Sequence, residues 1–433
     1  MKKIGIRVLV LVVVACLSIS LFACASTHSH RCVKTERKEP TCILAGNIEY
    51  WKCSDCGKYF SDQAWTKEVS YSQTILDPLP HDFVDGECTY CGTVDPDYDD
   101  GSGDNSGANN NDEKYDEDAT PAEEFQFELR SRDNAYAIKK FVGDSTEVII
   151  PKIYKGKSVT WIDEDAFKGK TELTSVIIPS GITNIYYSAF EGCTALSEIV
   201  IPDSVATIWG YAFRNCTGLT EVTIGNHVTN ISGSAFRGCG NLTAIVIPNS
   251  VEKIGDHAFA ECDKLTNITI GNGLTEIHET AFNMTPISHA SVPTTASVAL
   301  KGKTTLQTLI ITSGSKIIDH AFTDCTSLTS VTIGSSVTVI DEFAFYNCGL
   351  TSIAIPDSVV TIAGSAFRAC ASLESITIGK GVTTIGSYAF DGCNSLTDVY
   401  YRGTEDEWAD IDINSSNNNK FLNATRHYNT NAD

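Results

Sequence analysis

The sequence predicts a β-rich solenoid, built from stacked 23-residue units with parallel strands, over most of its 433 residues. Three observations carry this. The dipeptide Ala-Phe recurs ten times, beginning at Ala166, Ala189, Ala212, Ala235, Ala258, Ala281, Ala321, Ala344, Ala366 and Ala389. The spacing is 23 residues, apart from one interval of 40 and one of 22. A fixed period in this range marks a solenoid. The apolar positions repeat as well: Leu196, Ile199, Ile201, Val205, Ile208, Ala212, Phe213 and Cys216 are followed by Leu219, Val222, Ile224, Val228, Ile231, Ala235, Phe236 and Cys239. Finally, Ile199-Val200-Ile201 alternates as a short strand does, and it ends at Pro202, or at Gly225 in the following unit. Proline cannot donate to a ladder and glycine permits sharp turns, so both stop the strand at one corner.

A lone unit buries too little apolar surface to offset the entropy of ordering its backbone, so only an array is stable. The ten Phe residues after each Ala are expected to form a buried aromatic ladder, with rings offset-stacked at the rung spacing. Eight cysteines follow the same Ala by four residues: Cys193, Cys216, Cys239, Cys262, Cys325, Cys348, Cys370 and Cys393. They are expected to be reduced, buried thiols acting as small hydrophobes. Lys170 and Thr285 hold that position in the first and sixth units. The 40-residue interval is expected to contain one unit plus a bulge, at 283–303, that leaves the body and could serve as a contact loop.

Units of the form Leu-x-x-Ile-x-Ile-Pro/Gly-x-x-Val-x-x-Ile-x-x-x-Ala-Phe-x-x-Cys resemble the BspA-like, Treponema-type leucine-rich repeat proteins. The leading segment Ile149-Ile150-Pro151 and the trailing Val399-Tyr400-Tyr401-Arg402-Gly403-Thr404 with Trp408 agree. The resemblance covers residues 125–433. It implies a bacterial surface-exposed interaction or adhesion array.

The N-terminus reads as an export signal at 1–23. Lys2, Lys3 and Arg7 precede an apolar run at 8–22. Leu21-Phe22-Ala23-Cys24 resembles a lipobox, which would make Cys24 a lipidated first residue. Cleavage at an ordinary signal-peptidase site near Ala23-Cys24-Ala25, or at an earlier box ending in Cys16, is the alternative.

Residues 24–94 form a Cys/His-rich module. Cys53-Ser54-Asp55-Cys56-Gly57 and Cys88-Thr89-Tyr90-Cys91-Gly92 are paired knuckles, each able to aim two thiolates at one point. With Cys42 and His81 they are candidate ligands for structural zinc, and the module resembles small zinc-ribbon relatives in surface proteins of anaerobic bacteria. Disulfides are the competing reading in an exported chain. Residues 95–124 carry twelve acidic side chains against one lysine, half of the chain's net charge of −22. Such a segment cannot bury enough apolar surface to fold, and its charge extends it as a spacer.

The overall acidity argues against nucleic acid, whose phosphates would be repelled. No nucleophile motif, phosphate loop or carboxylate pair is found, so the expectation is non-catalytic. His227, His257, His278, His289 and His320 share no single column and read as surface residues. The outward positions of the strands are Ile177, Val200, Thr223, Val246, Thr269, Ile310, Thr332, Ala354, Thr377 and Tyr400, with Val200, Thr223, Val246 and Thr269 as the candidate ligand-binding set. Glu198 and Glu221 stand in the neighbouring column. An apolar column beside a partly acidic one suits a protein partner: a host, neighbouring-cell or matrix protein. A structural envelope component and a metal-binding surface protein are the alternatives.

The knuckles generate a prediction: about one or two zinc ions bind per chain within residues 24–94, and chelation unfolds that module alone. Elemental analysis of the purified protein checks it. Metal-free protein with all six thiols of residues 26–94 oxidised would favour disulfides.

Overall fold

The computed structural model describes residues 119–430 and, nearer the N-terminus, the backbone of short strands between Cys32–Thr35 and Glu87–Cys88. The chain divides into two units, Met1–Asn109 and Asn110–Asp433. The readings made for Cys24, Cys42, Cys56, His81, Cys91 and residues 95–118 lie outside the described residues. In the first unit, Cys32–Thr35, Tyr50–Cys53, Tyr59–Phe60 and Glu68–Val69 form an antiparallel sheet, which sets Cys32 opposite Cys53. Glu87–Cys88 pairs with Phe83–Val84. The side chains of Cys53 and Cys88 are outside the described set.

The second unit is a parallel solenoid. Thirteen strands of three or four residues, from Glu147–Ile149 to Thr425–His427, run side by side along one face. Inward residues are buried and outward ones exposed, as in Glu198–Ile201. A second face is made of two-residue strands, from Asn184–Ile185 to Glu276–Ile277 and from Lys316–Ile317 to Asp412–Ile413. The core between the two faces is one continuous apolar cluster. Rows of hydroxyls tie successive rungs: Thr174, Thr220 and Thr275 donate to the carbonyls of Thr146, Ser197 and Glu252, at 2.9, 3.1 and 3.0 Å.

The Ala-Phe corner is where neighbouring rungs lock. All ten Phe side chains are buried. Their rings stack at 4.8 to 5.5 Å between centroids, from Phe167 to Phe282 and again from Phe322 to Phe390. The Phe amide donates to the Ala carbonyl of the next rung, as from Phe213 to Ala235 at 2.8 Å. The Phe carbonyl in turn accepts the thiol of the next rung's cysteine, as at Cys216 to Phe190, 3.0 Å, and Cys239 to Phe213, 3.3 Å. All eight cysteines are buried and free. They are therefore more than small hydrophobes: each gives a second donor to a carbonyl that, Phe345 apart, already accepts an amide of its own turn, as Phe190 does from Cys193 at 3.2 Å.

The corner also explains a second recurrence. The residue two after each corner Phe, or after Leu300, is left-handed in eleven successive rungs, with φ between 55° and 79°. Glycine fills it at five of them, including Gly192 and Gly238, because a Cβ is strained there.

Residues 283–303 are not a bulge. His289–Val292 pairs with Asn267–Ile270 on one side and Thr308–Ile311 on the other. The chain then forms a 3-10 helix, Thr294–Ala299, in place of the second-face strand. Ala290, Val292, Ala296, Ala299 and Leu300 are buried. The interval thus holds two rungs, one of them shortened by a compact helix that closes its corner without Ala-Phe. Leu300 stands where Phe would, since its carbonyl accepts the Cys325 thiol at 3.5 Å. Lys303 takes the cysteine position and donates to the Phe282 carbonyl at 2.5 Å.

Both ends of the solenoid are closed. The hairpin Phe125–Arg130 with Ala135–Phe141 starts the second face, and Phe141 stacks on Phe167 at 5.2 Å. At the other end Trp408, in the helix Glu405–Ala409, and Phe421, in Asn419–Asn423, are buried. Phe421 extends the aromatic ladder, 4.3 Å from Phe390. Buried Asn418 replaces the missing Ala carbonyl by accepting from the Phe390 amide at 3.0 Å.

Burial pushes the thiols of Cys262, Cys325 and Cys370 up to about 12. The folded chain therefore holds these protons to higher pH than the unfolded chain. Their contribution to stability is complete below the ordinary thiol value and is lost as pH rises from there through the folded value. Under reducing conditions the urea midpoint should fall from about pH 8 to about pH 11, and fall less in Cys262→Ala/Cys325→Ala/Cys370→Ala. At neutral pH each of these substitutions should cost about 0.5–1.5 kcal/mol for the lost hydrogen bond, and Cys370→Ala the most, because among the described residues the Phe345 carbonyl accepts from no other donor.

Candidate interaction surface

The alternation of the long strands directs one residue in two away from the core, and parallel pairing stacks these residues in columns. Val200 lies opposite Thr223, and Val246 opposite Thr269. All four candidate residues are exposed, so the fold brings them together on one face. Ile149 and Ile177 extend the column toward the N-terminal end, Ile177 at 52% and Val200 at 60% exposure. Ser291 belongs to the same column, between Thr269 and Ile310. Sequence reasoning missed it because its rung lacks the Ala-Phe marker; the alternation in His289-Ala290-Ser291-Val292 is the signal that was available.

The adjacent column carries Glu198 opposite Glu221, both exposed. Neither carboxylate is in an ion pair among the described residues. Elsewhere charges pair across rungs: Lys253–Glu276 at 2.9 Å and Lys316–Asp341 at 2.6 Å on the second face, Arg237–Glu261 at 2.6 Å and Arg368–Asp391 at 3.0 Å near the corners. The first face thus combines exposed branched side chains with the carboxylates of Glu147, Glu198 and Glu221, none in an ion pair among the described residues. His289 lies further along that column, after Ala244 and Asn267; it is half-buried and pushed down by burial, and its Nδ1 lies 2.8 Å from the Ser288 hydroxyl.

Among the described residues no cluster of His, Cys, Asp and Glu could hold a metal ion. His257 and His320 share one position, directly before Ala258 and Ala321, but in non-adjacent rungs. Among the described residues no helix is long and apolar enough to cross a membrane. The Phe ladder is wholly interior and presents no ring to a ligand.

The family described as BspA type leucine rich repeat region (six copies) matches at residues 144–251, 229–302 and 297–419. Among solved structures, a leucine rich cell surface protein of Faecalibacterium prausnitzii is 24% identical, with 69% of this chain and 98% of that one covered and a TM-score of 0.28. A leucine-rich repeat protein of Bacteroides ovatus is 22% identical, covering 70% and 98%, with a TM-score of 0.37. The leucine rich repeat protein of T. pallidum is 20% identical, covering 64% and 90%, with a TM-score of 0.29. No curated protein matches.

Proposed function

The chain belongs to the BspA-type leucine-rich repeat proteins, and from there we propose that it is a non-catalytic, surface-displayed array that binds a protein through its long-strand face. The observation that carries this reading is the pairing of exposed Ile177, Val200 and Val246 with the unpaired carboxylates Glu198 and Glu221 on one sheet. Such a face offers many weak, shape-based contacts and attracts a partner surface that is apolar and basic. It suits a host, neighbouring-cell or matrix protein. A stacked array has no deep interior site, and its extended surface is where partners bind. The Faecalibacterium protein, described as a cell surface protein, supports the same address.

The N-terminal segments fit this role. Cys24, once lipidated, would hold the chain at a bacterial membrane. The acidic stretch at 95–124 would act as a spacer. The Cys/His module, with Cys42, Cys53, Cys56, His81, Cys88 and Cys91 as zinc ligands, would be a folded unit between anchor and spacer. Cys24→Ala should move the protein from the membrane fraction to the medium. A mature N-terminus at Ser26 without acyl chains would reject the anchor.

The face is tested by binding. A partner captured from host or microbial surface proteins should lose at least about tenfold in affinity, about 1.4 kcal/mol, on Val200→Lys/Thr223→Lys/Val246→Lys/Thr269→Lys. Unfolding temperature should be unchanged, since all four side chains are exposed. Glu198→Lys/Glu221→Lys should slow association and flatten its salt dependence. Unchanged affinity in both variants would place the contact on another face.

A further inference from the structure

A second surface lies on the other side of the rungs, where the two-residue strands turn toward the corner. Trp161, Tyr186 and Trp209 stack there at 4.9 and 5.2 Å between centroids, with planes 19° and 8° apart. The Arg130 guanidinium closes one end of the stack, 3.6 Å from the Trp161 ring centre. The faces inside this stack are consumed by one another. Two further rings keep open surface: Tyr187 and Tyr211 are each 42% exposed, with the Arg214 guanidinium 5.5 Å from the Tyr211 ring centre. Gly210 sets the position of Tyr187, for a Cβ there would stand 3.1 Å from the Tyr187 ring. That ring therefore rests on the backbone of the next rung, 5.2 Å from Trp209, and leaves its other face to solvent.

Packing does not demand these aromatics. Later rungs fill the position of Tyr186 and Trp209 with Ser232, Gly255, Ala363 and Gly386, and their cores are equally closed. The Trp209 Nε1 is shielded from solvent and has no hydrogen-bond partner among the described residues.

The stack adjoins a polar cleft. Trp161 forms part of the wall of an open depression of about 790 Å³ beside the N-terminal hairpin. Its charged lining balances: Arg130, Arg132 and Lys139 face Glu128, Asp133 and Asp163. Asp163 is nearly buried and takes Lys139 at 3.2 Å and Arg130 at 3.5 Å. Planar carboxylates and a guanidinium offer paired acceptors and donors at fixed spacing.

We propose that this edge binds a neutral oligosaccharide, whose apolar ring faces stack on Tyr187 and Tyr211 while hydroxyls of a further sugar unit enter the cleft. Aromatic rings present a negative face to which the polarised C–H groups of a pyranose are drawn. A few polar groups beside an apolar platform fix orientation, as in small-molecule sites generally. The balanced charge disfavours a sulfated or uronic chain. A proline-rich peptide also seeks aromatic-lined grooves, yet it has no use for matched donor and acceptor pairs at one end.

The test uses the full chain, with tryptophan fluorescence and calorimetry to follow titration by cellohexaose, xylohexaose, chitohexaose and mannohexaose, and by decaproline and heparin. At least one hexasaccharide should bind, with Kd of roughly micromolar to millimolar. Tyr187→Ala/Tyr211→Ala should weaken it about tenfold or more, and Tyr187→Phe/Tyr211→Phe should retain it. Substituting the four exposed residues Val200, Thr223, Val246 and Thr269 by Lys should leave it unchanged, which separates this site from the protein-binding face. Both tyrosines are exposed, so melting by circular dichroism should show the Ala variant folded. The proposal is overturned if no hexasaccharide binds, if binding survives loss of both tyrosines, or if decaproline or heparin binds in place of the sugars.

Discussion

At the Phe corner stacked rings and paired peptide groups lock each rung to the next, and much of the solenoid follows from that contact. The corner is sealed by stacked rings, so water cannot reach the peptide groups beneath them. An unpaired group there would carry its full desolvation cost. The Phe carbonyl accepts the amide of its own turn and, on its second lone pair, the thiol of the cysteine one rung on, as Phe190 does from Cys193 and Cys216. The thiol is a weak donor, but it is small enough to sit beside the aromatic column without displacing it. The substitutions argue the same point. In the shortened rung Lys303 reaches the Phe282 carbonyl, and in the first rung Lys170 reaches the Gly143 carbonyl at 2.8 Å. In the sixth, Thr285 donates to the carbonyl of its own Phe282. What recurs is a donor, and cysteine is its commonest form.

Because rungs hold each other through the corner and the two ladders, the outward side chains are released from structural duty. A quasi-one-dimensional fold gains stability from nearest-neighbour interfaces. Its outer columns can then vary in chemistry with little effect on folding. The contrast between faces is informative for this reason. Charges on the second face and near the corners are matched across rungs, while Glu198 and Glu221 on the first face are not. Aromatic residues gather on one edge over three rungs, and beyond it the same position holds Ser, Gly, His, Ile, Asp and Ala.

The period, the corner, the strands and the Phe column were all legible in the sequence, because each is a local pattern repeated at a constant interval. The exposed set Val200, Thr223, Val246 and Thr269 was legible too, as the residues between inward Ile and Val positions. The shortened rung was not. Without Ala-Phe at 289–307, counting from one marker to the next gave one unit and a surplus. Its 3-10 helix closes the turn in fewer residues than a strand and corner need. The Tyr187 platform was hidden for a related reason: it depends on Gly210 lying one rung further along.

The sequence by itself determined that this chain stacks, where each rung turns and which residues face inward, since periodicity encodes all three. The tertiary structure alone decided which atoms meet. The thiol-to-carbonyl bonds join residues 25 or 26 apart, and a pattern of residue types does not reveal which backbone carbonyl has a lone pair left for a side chain. The same holds at the C-terminal end, where Asn418 stands in for an Ala carbonyl. Only once the rungs are superposed does each buried peptide group have a neighbour, and only then does its need for a donor or an acceptor become a constraint on the side chain beside it.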